Sequence, residues 1–348
     1  MNPTKKPSIN DVALLAGVSK KTVSRVINNE ANVSAITLAK VQKAVADYNY
    51  TPSPQARALS LRRSFLITIV HDNPNATYVT EAMYGALEFC RSAGYELIMH
   101  PCDFSKADAT DEIIQFIEYL KIDGVILLQP VSESVGLTDR LKEINCNFVR
   151  LLSTKTEEDT HMIYHNDSFA VNQIVSHLVE RGHREIAHIR GPEMSQSANQ
   201  RCDLFRSALE KYNLKLPQHH FALGDHTFQS GVNCAELLLS SERRPTAIFA
   251  SNDEMAIGAI VAAQKMGINV PNELAVVGFD DSPQASRMWP ALTTVNLHVR
   301  EMVQLAAQKL IAQCDGDMKM AADVKTEVEP TFIIRQTTDL PSASHVDV

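Results

Sequence analysis

From Phe65 onward the chain alternates short, uniformly apolar runs with stretches that repeat apolar residues at helical spacing. That alternation admits few folds. A strand that is apolar on both faces has to be covered on both, which is the situation of a parallel sheet flanked by helices. The runs predict strands over 65–70, 96–100, 124–128, 148–152, 186–189, 247–250 and 275–279, with helices over 78–93, 169–181, 199–212 and 254–266 among the segments between them. The class is therefore α/β. Such sheets hold ligands beyond the carboxyl ends of their strands, and polar residues gather there: His71-Asp72-Asn73, Asn166-Asp167, Ser251-Asn252-Asp253 and Asp280-Asp281. The same residues suit helix N-caps at strand–helix junctions. Both roles are expected among them, with capping the stronger reading for Asp167 and Asp253.

The first 65 residues differ in kind. They carry ten basic residues against three acids, a balance of +7 in a chain whose net charge is −8, so the remainder stands at −15. A small basic head on an acidic body fits a nucleic-acid contact confined to the head. Ser8 and Asp11 have the spacing of a helix start, and Ile9, Val12, Ala13 and Ala16 recur at helical intervals. Gly17 permits a tight turn. Ser19 then caps a second helix with Val23, Val26 and Ile27 inward and Lys20, Lys21, Thr22, Ser24, Arg25 and Asn28 outward. A third helix opens near Ser34 and buries Val41, Ala44, Val45 and Tyr48. Two short helices about a glycine, the second bearing basic and amide groups, form a helix-turn-helix. Lys20 and Lys21 are placed for base edges and Arg25 for the guanine fork. Ser8, Ser24 and Asn32 suit phosphates, which orient without reading sequence.

Pro52 ends the third helix, and Ser53-Pro54 opens a helix of about two turns, too short to be stable alone. Two readings stand for this segment, which carries Ser53, Arg57 and Leu59. It is either a conditional helix whose Leu59 wedges into the minor groove, or a linker whose Leu59 packs on the next domain.

Several classes of function are excluded or disfavoured. No apolar run approaches the roughly 18 residues that span a bilayer, and the polar start has no secretory h-region, so a cytoplasmic location is expected. The six cysteines are scattered without a C-x-x-C pair and read as buried thiols. Phosphate-loop, dinucleotide, zinc-protease and serine-hydrolase motifs are missing. Neither an enzyme, a cofactor nor a metal site is expected. A solute-binding receptor is the more serious rival, but such a protein needs an export signal where this chain has its basic head.

The segments Ile9-Asn-Asp-Val-Ala, Ala-Gly-Val-Ser19, Thr-Val-Ser-Arg-Val-Ile-Asn28 and Pro-Ser-Pro-Gln-Ala-Arg-Ala-Leu59 together resemble the lactose repressor and purine repressor family. The resemblance runs from about residue 7 to about residue 338. It implies a helix-turn-helix domain over 1–50, a hinge helix and linker over 51–63, and an effector-binding and dimerisation domain over 64–340, with a polar tail over 341–348. The effector domain would be two-lobed, doubly wound α/β and similar to periplasmic sugar-binding proteins, with crossovers near 163 and 291. The resemblance further implies a homodimer on a pseudo-palindromic operator, Lys20, Lys21 and Arg25 reading bases, and Leu59 acting as the hinge wedge. Pro54 departs from many relatives.

For the effector, the resemblance implies Arg201 (in Asn199-Gln-Arg201), Asn252 and Asp280 as ligand contacts; the strand-end position alone adds Asn73 and Asp167. Tyr78 falls at a pocket wall. His226 stands where relatives place a stacking tryptophan or phenylalanine, and Leu297 where some sugar binders have glutamine. Trp289, the lone tryptophan, stacks on a sugar or packs at the lobe crossover. The ligand implied is a mono- or oligosaccharide controlling carbohydrate-utilisation genes. A purine or sugar phosphate acting as co-repressor is the alternative. Gly182-His183-Arg184 matches a family signature and reads as a structural turn. The tail lacks the leucine heptads of a tetramer, so a dimer is expected.

Overall fold

The computed structural model describes residues 7–27, 33–50, 63–152 and 160–339, which fall into two compact units, Met1–Ser64 and Phe65–Val348. Asn28, Asn32, Ser53, Arg57, Leu59 and the tail over 341–348 lie outside the described residues, as does nearly all of the expected hinge helix.

The first unit has three helices, α1 (Ile9–Ala16), α2 (Lys20–Ile27) and α3 (Ala35–Asp47). Asp11 accepts from both the Ser8 amide and the Ser8 hydroxyl at 2.7 Å, which closes the start of α1. Gly17 ends that helix at φ +66°, in the left-handed region where a Cβ is unfavourable, and Val18 N–H returns to the Ala13 carbonyl at 3.1 Å. The turn therefore belongs to glycine. Val12, Ala16, Val23, Val26, Val41 and Ala44 form the core. It is small, so this unit depends on a few aliphatic contacts.

In the second unit, one lobe is a six-stranded parallel sheet of order β11-β5-β4-β3-β1-β2, built from β1 (Leu66–His71), β2 (Glu96–Pro101), β3 (Gly124–Leu127), β4 (Asn147–Leu152), β5 (Met162–His165) and β11 (Glu327–Val328). Helices α4 (Ala76–Ala93), α5 (Ala109–Leu120), α6 (Val135–Glu143) and α12 (Val299–Asp315) belong to this lobe by chain position or contact. The other lobe has the order β7-β6-β8-β9, from β6 (Ile186–Arg190), β7 (Phe221–Leu223), β8 (Ala247–Ala250) and β9 (Ala275–Val277). Its helices include α7 (Asp167–Glu180), α8 (Gln196–Glu210), α9 (Phe228–Leu239), α10 (Asp253–Lys265) and the short α11 (Pro283–Arg287). An antiparallel ribbon of β10 (Thr294–Asn296) and β12 (Thr331–Ile333) joins β9 through bridges at Val277–Thr293 and Asp280–Asn296.

The chain passes between lobes after β5, between β10 and α12, and again between β11 and β12. The second passage lies about six residues beyond the expected 291. The third had no counterpart in the sequence reading, because β11 and β12 are two and three residues long and show no periodicity. The helices begin one to three residues earlier than their apolar pattern, since their polar first turns carry none. No helix among the described residues is long and apolar enough to cross a membrane.

In both sheets the strand order reverses, at β1/β3 in one and at β6/β8 in the other. The carboxyl ends at those two switch points, with the loop after β9, supply the residues of a cleft between the lobes.

Candidate effector cleft and nucleic-acid-binding unit

On the first unit, Lys20, Lys21 and Arg25 are exposed on α2, while Val23 and Val26 of the same helix are buried. The periodicity thus separates a core edge from a basic face. Ser19 serves as a cap: its hydroxyl accepts from Thr22 N–H at 3.1 Å and pairs with the Thr22 hydroxyl at 2.9 Å. Ser8 likewise commits its hydroxyl to Asp11. Both residues build the helix starts that present the basic groups, and Ser24 is half-buried between them and the core.

In the second unit, a cavity of about 210 Å³ lies between the lobes. One lobe contributes Asp72, Asn73, Asn75, Tyr78, Gln129 and Pro130. The other contributes Pro192, Met194, Ser195, Ser197, Arg201, Asp225, His226, Ser251, Asn252 and Asp280, and Leu297 comes from a crossover. Six of the eight expected effector residues meet here: Asn73, Tyr78, Arg201, His226, Asn252 and Asp280.

Arg201 is 6% exposed. Its Nε and Nη2 donate to one oxygen of Asp167 at 3.0 and 2.8 Å, and its Nη1 donates to the Ser251 carbonyl at 2.8 Å. The guanidinium also lies 3.8 Å from the Phe279 ring centroid. Asp167 is fully buried and does not line the cavity, which corrects the expectation of direct ligand contact. It does not cap either: Asn166 is the N-cap of α7. Burial pushes the Asp167 carboxyl up, but Arg201 and His165, whose Nδ1 lies 2.7 Å from its second oxygen, outweigh this and hold it below the ordinary range. Asp167 is the counter-ion that fixes Arg201.

Asn252 caps a helix and lines the cavity. Its Oδ1 caps α10 by accepting from Met255 N–H at 3.0 Å, and its Nδ2 donates to the His226 carbonyl at 2.9 Å. Asp253 bonds inward to the Thr294 hydroxyl and Ser282 N–H. Asn73 accepts from Asn75 N–H at 2.9 Å and donates to the Gln129 carbonyl at 3.4 Å.

Asp280 accepts from Asn75 Nδ2 at 3.1 Å, a bond across the lobes. Burial, then repulsion from Asp253, pushes its carboxyl well above the usual range against the pull of Arg201. It therefore tends to keep a proton and is able to donate as well as accept, which suits sugar hydroxyls. Its backbone sits at φ +126° and that of His226 at φ +69°. Such strain in residues that carry a Cβ is characteristic of binding sites.

Burial, with Asp280 and Glu133 nearby, pushes the Tyr78 phenol upward, so it stays neutral. Burial and then Arg201 lower the His226 ring to about 4. The ring fills the space over Gly191, where a Cβ would run into His226 Nε2. Leu297 supplies an apolar wall.

Trp289 is 75% exposed and lines neither this cavity nor the neighbouring groove at the crossovers. It neither stacks in the cleft nor packs at the crossover, because its loop turns it outward. Asn75, Gln129, Met194, Ser195, Ser197 and Asp225 line the cavity without having been anticipated. Their only signal is their position just past a strand end.

The acidic residues of the lining are Asp72, Asp225 and the proton-retaining Asp280, and its guanidinium is already paired to Asp167. Hydrogen bonds from Thr227, its hydroxyl first, hold Asp225 below the ordinary carboxylate range. Among the described residues no group of three His, Cys, Asp or Glu side chains is placed to hold a metal ion.

Comparison with known proteins agrees with this architecture. Residues 8–53 match the family described as "Bacterial regulatory proteins, lacI family", and residues 175–338 match the "Periplasmic binding protein-like domain". The chain is 31% identical to the ribose operon repressor of Escherichia coli strain K12 over 87% of its length and 92% of the relative's. It is 30% identical to the repressor PurR of Photorhabdus laumondii, over 95% and 96%. Among solved structures, the lac repressor dimer bound to operator and the anti-inducer ONPF superposes with a TM-score of 0.78 at 27% identity, covering 96% of this chain and 99% of that one. A complex of the regulator CelR with cellobiose gives 0.70 at 26%, over 95% and 99%. A helix-turn-helix unit, two parallel-sheet lobes around a polar cleft, and relatives matched over nearly their whole length lead to one conclusion: the chain belongs to the lacI family of bacterial regulatory proteins, DNA-binding transcription regulators that carry an effector domain.

Proposed function

We propose that this regulator represses carbohydrate-utilisation genes in the cytoplasm, as a homodimer on a pseudo-palindromic operator, and that a neutral monosaccharide in the cleft releases it. The observation that carries the reading is the charge of the lining. Two carboxylates, Asp72 and Asp225, accompany one guanidinium whose charge is already met by buried Asp167, and Asp280 tends to stay protonated, so no net positive charge is left to hold a phosphate or carboxylate ligand. Hydroxyls, in contrast, find donors and acceptors in Asn73, Arg201, Asn252 and Asp280. The volume of about 210 Å³ is below the roughly 300–1,000 Å³ of pockets for drug-sized ligands, which favours one sugar ring. The ligand acts by binding one arrangement of the lobes better than the other.

The test has two stages. Selection from random duplex DNA identifies the operator. Thermal-shift and operator-binding measurements then compare neutral pentoses and hexoses, their phosphates and free purines. A neutral sugar should stabilise the protein and weaken operator binding. Stabilisation by phosphates or purines alone, or no preference among duplex sequences, would overturn the proposal.

A further inference from the structure

The first four N–H groups of an α-helix have no partner within it and must find one elsewhere. In α8, the helix that carries Arg201, two of these are met by the cap and the residues just before it. Ser195 Oγ accepts from Ala198 N–H at 3.2 Å, and the Pro192 carbonyl accepts from Ser195 N–H at 3.1 Å. The other two reach across the cleft. Gln196 N–H donates to Glu133 Oε2 at 3.0 Å and Ser197 N–H to Glu133 Oε1 at 3.1 Å. Glu133 belongs to the opposite lobe, in a turn that follows β3.

That turn is fixed to its own lobe. Arg150 Nε donates to the Ser132 carbonyl at 2.7 Å, and Ser132 Oγ donates to the Leu151 carbonyl at 2.6 Å, both partners lying on β4. Gln129, which lines the cavity, donates through Nε2 to Glu133 Oε1 at 3.2 Å, and its carbonyl accepts from Asn73. Glu133 is 9% exposed. Its negative charge meets the positive end of the α8 dipole.

We propose that Glu133 is the clasp that holds the two lobes together over the effector cavity. Its carboxylate joins a turn rigidly held by one lobe to the first turn of the helix that positions Arg201 in the other. When the lobes part, the two helix N–H groups and the carboxylate return to water together, so the contact exists only in the closed arrangement. Burial pushes the Glu133 carboxyl above the ordinary range, against the pull of the bonds from Gln196, Ser197 and Gln129. Glu133 acts on the effector through α8 and the Gln129–Asn73 wall and is a positioning residue. A carboxylate is required because both oxygens face N–H donors, and an amide would set an N–H₂ against one of them.

The test is hydrogen exchange on the full-length protein without added ligand, comparing the wild type with Glu133→Ala and Glu133→Gln. Both variants should keep the wild-type melting temperature within a few degrees. In each, exchange should quicken at least fivefold over residues 192–199 and also over the facing wall, residues 72–78. The strands β3 and β8 should exchange as in the wild type. Should the alanine variant fold poorly, the glutamine variant carries the comparison. Unchanged exchange over 192–199 would overturn the proposal. So would acceleration confined to that segment, which would make Glu133 a local cap. Since no sugar is used, either result stands apart from the identity of the effector.

Discussion

Asp167 accepts two hydrogen bonds from Arg201 through a single carboxylate oxygen, at 3.0 and 2.8 Å, with both side chains withdrawn from solvent. The pairing links the function of one residue to the stability of the other. Arg201→Ala should abolish the sugar response and also destabilise the effector domain by about 3–5 kcal/mol, because an uncompensated charge stays buried. Adding Asp167→Asn should restore much of the stability and none of the response. Urea unfolding and sugar titration separate the two effects. A double variant no more stable than Arg201→Ala would show that charge pairing is not what Asp167 supplies.

In the first unit, the exposed Arg25 lies on the same short helix as buried Val23 and Val26. Arg25→Ala should leave the fold intact, weaken operator binding by about 1–3 kcal/mol and relax selectivity at one base pair. Competition with random duplex DNA tests this. An equal loss on both DNAs would assign Arg25 to phosphates.

These two residues mark where sequence reasoning succeeds. Arg25 could be placed because helical spacing separates inward valines from outward basic groups within eight residues. The sheets were visible for the same reason, as runs such as 124–128 and 247–250 are apolar on both faces. Arg201, Asn252 and Asp280 could be placed as strand-end and motif residues. Local patterns do not carry what depends on distant partners. Asp167 read as a cap or ligand contact because its partner lies 34 residues away, and Glu133 drew no attention because it meets α8 across 63 residues. Trp289 invited a role by being the only tryptophan, but rarity says nothing about where its loop points.

Gly191 and His226 share one space in the cleft wall, where a Cβ on the glycine would collide with His226 Nε2. Gly191→Ala should push the imidazole out of its position and reduce affinity for the stabilising sugar about tenfold, on the order of 1.4 kcal/mol. Operator binding without sugar should persist. Combining it with His226→Ala removes the obstruction, so the double variant should bind sugar no worse than His226→Ala alone. Calorimetric titration decides, and an unaltered affinity in Gly191→Ala would mean the wall yields without consequence.

His188 is buried between Phe205 and Phe249, with ring centroids 5.1 and 4.9 Å away, and its Nδ1 lies 2.9 Å from the Phe249 carbonyl oxygen. Burial, the largest influence, lowers its pKa to about 3. A histidine whose folded pKa lies below its unfolded value of about 6.5 stabilises the fold above that value. The contribution is lost as pH falls towards 3, at up to about 1.4 kcal/mol per pH unit. Asp253 acts with the opposite sign: burial raises it to about 6, so its contribution is present in acid and lost as pH rises through 6. The wild-type profile sums the two, and a substitution is needed to isolate the histidine. His188→Phe should be less stable than the wild type near pH 7 by about 1 kcal/mol, for the lost hydrogen bond. That deficit should shrink and then reverse between pH 6.5 and 4. Urea midpoints across this range provide the check. A deficit that stays constant with pH would mean that His188 takes up its proton equally in the folded and unfolded chains.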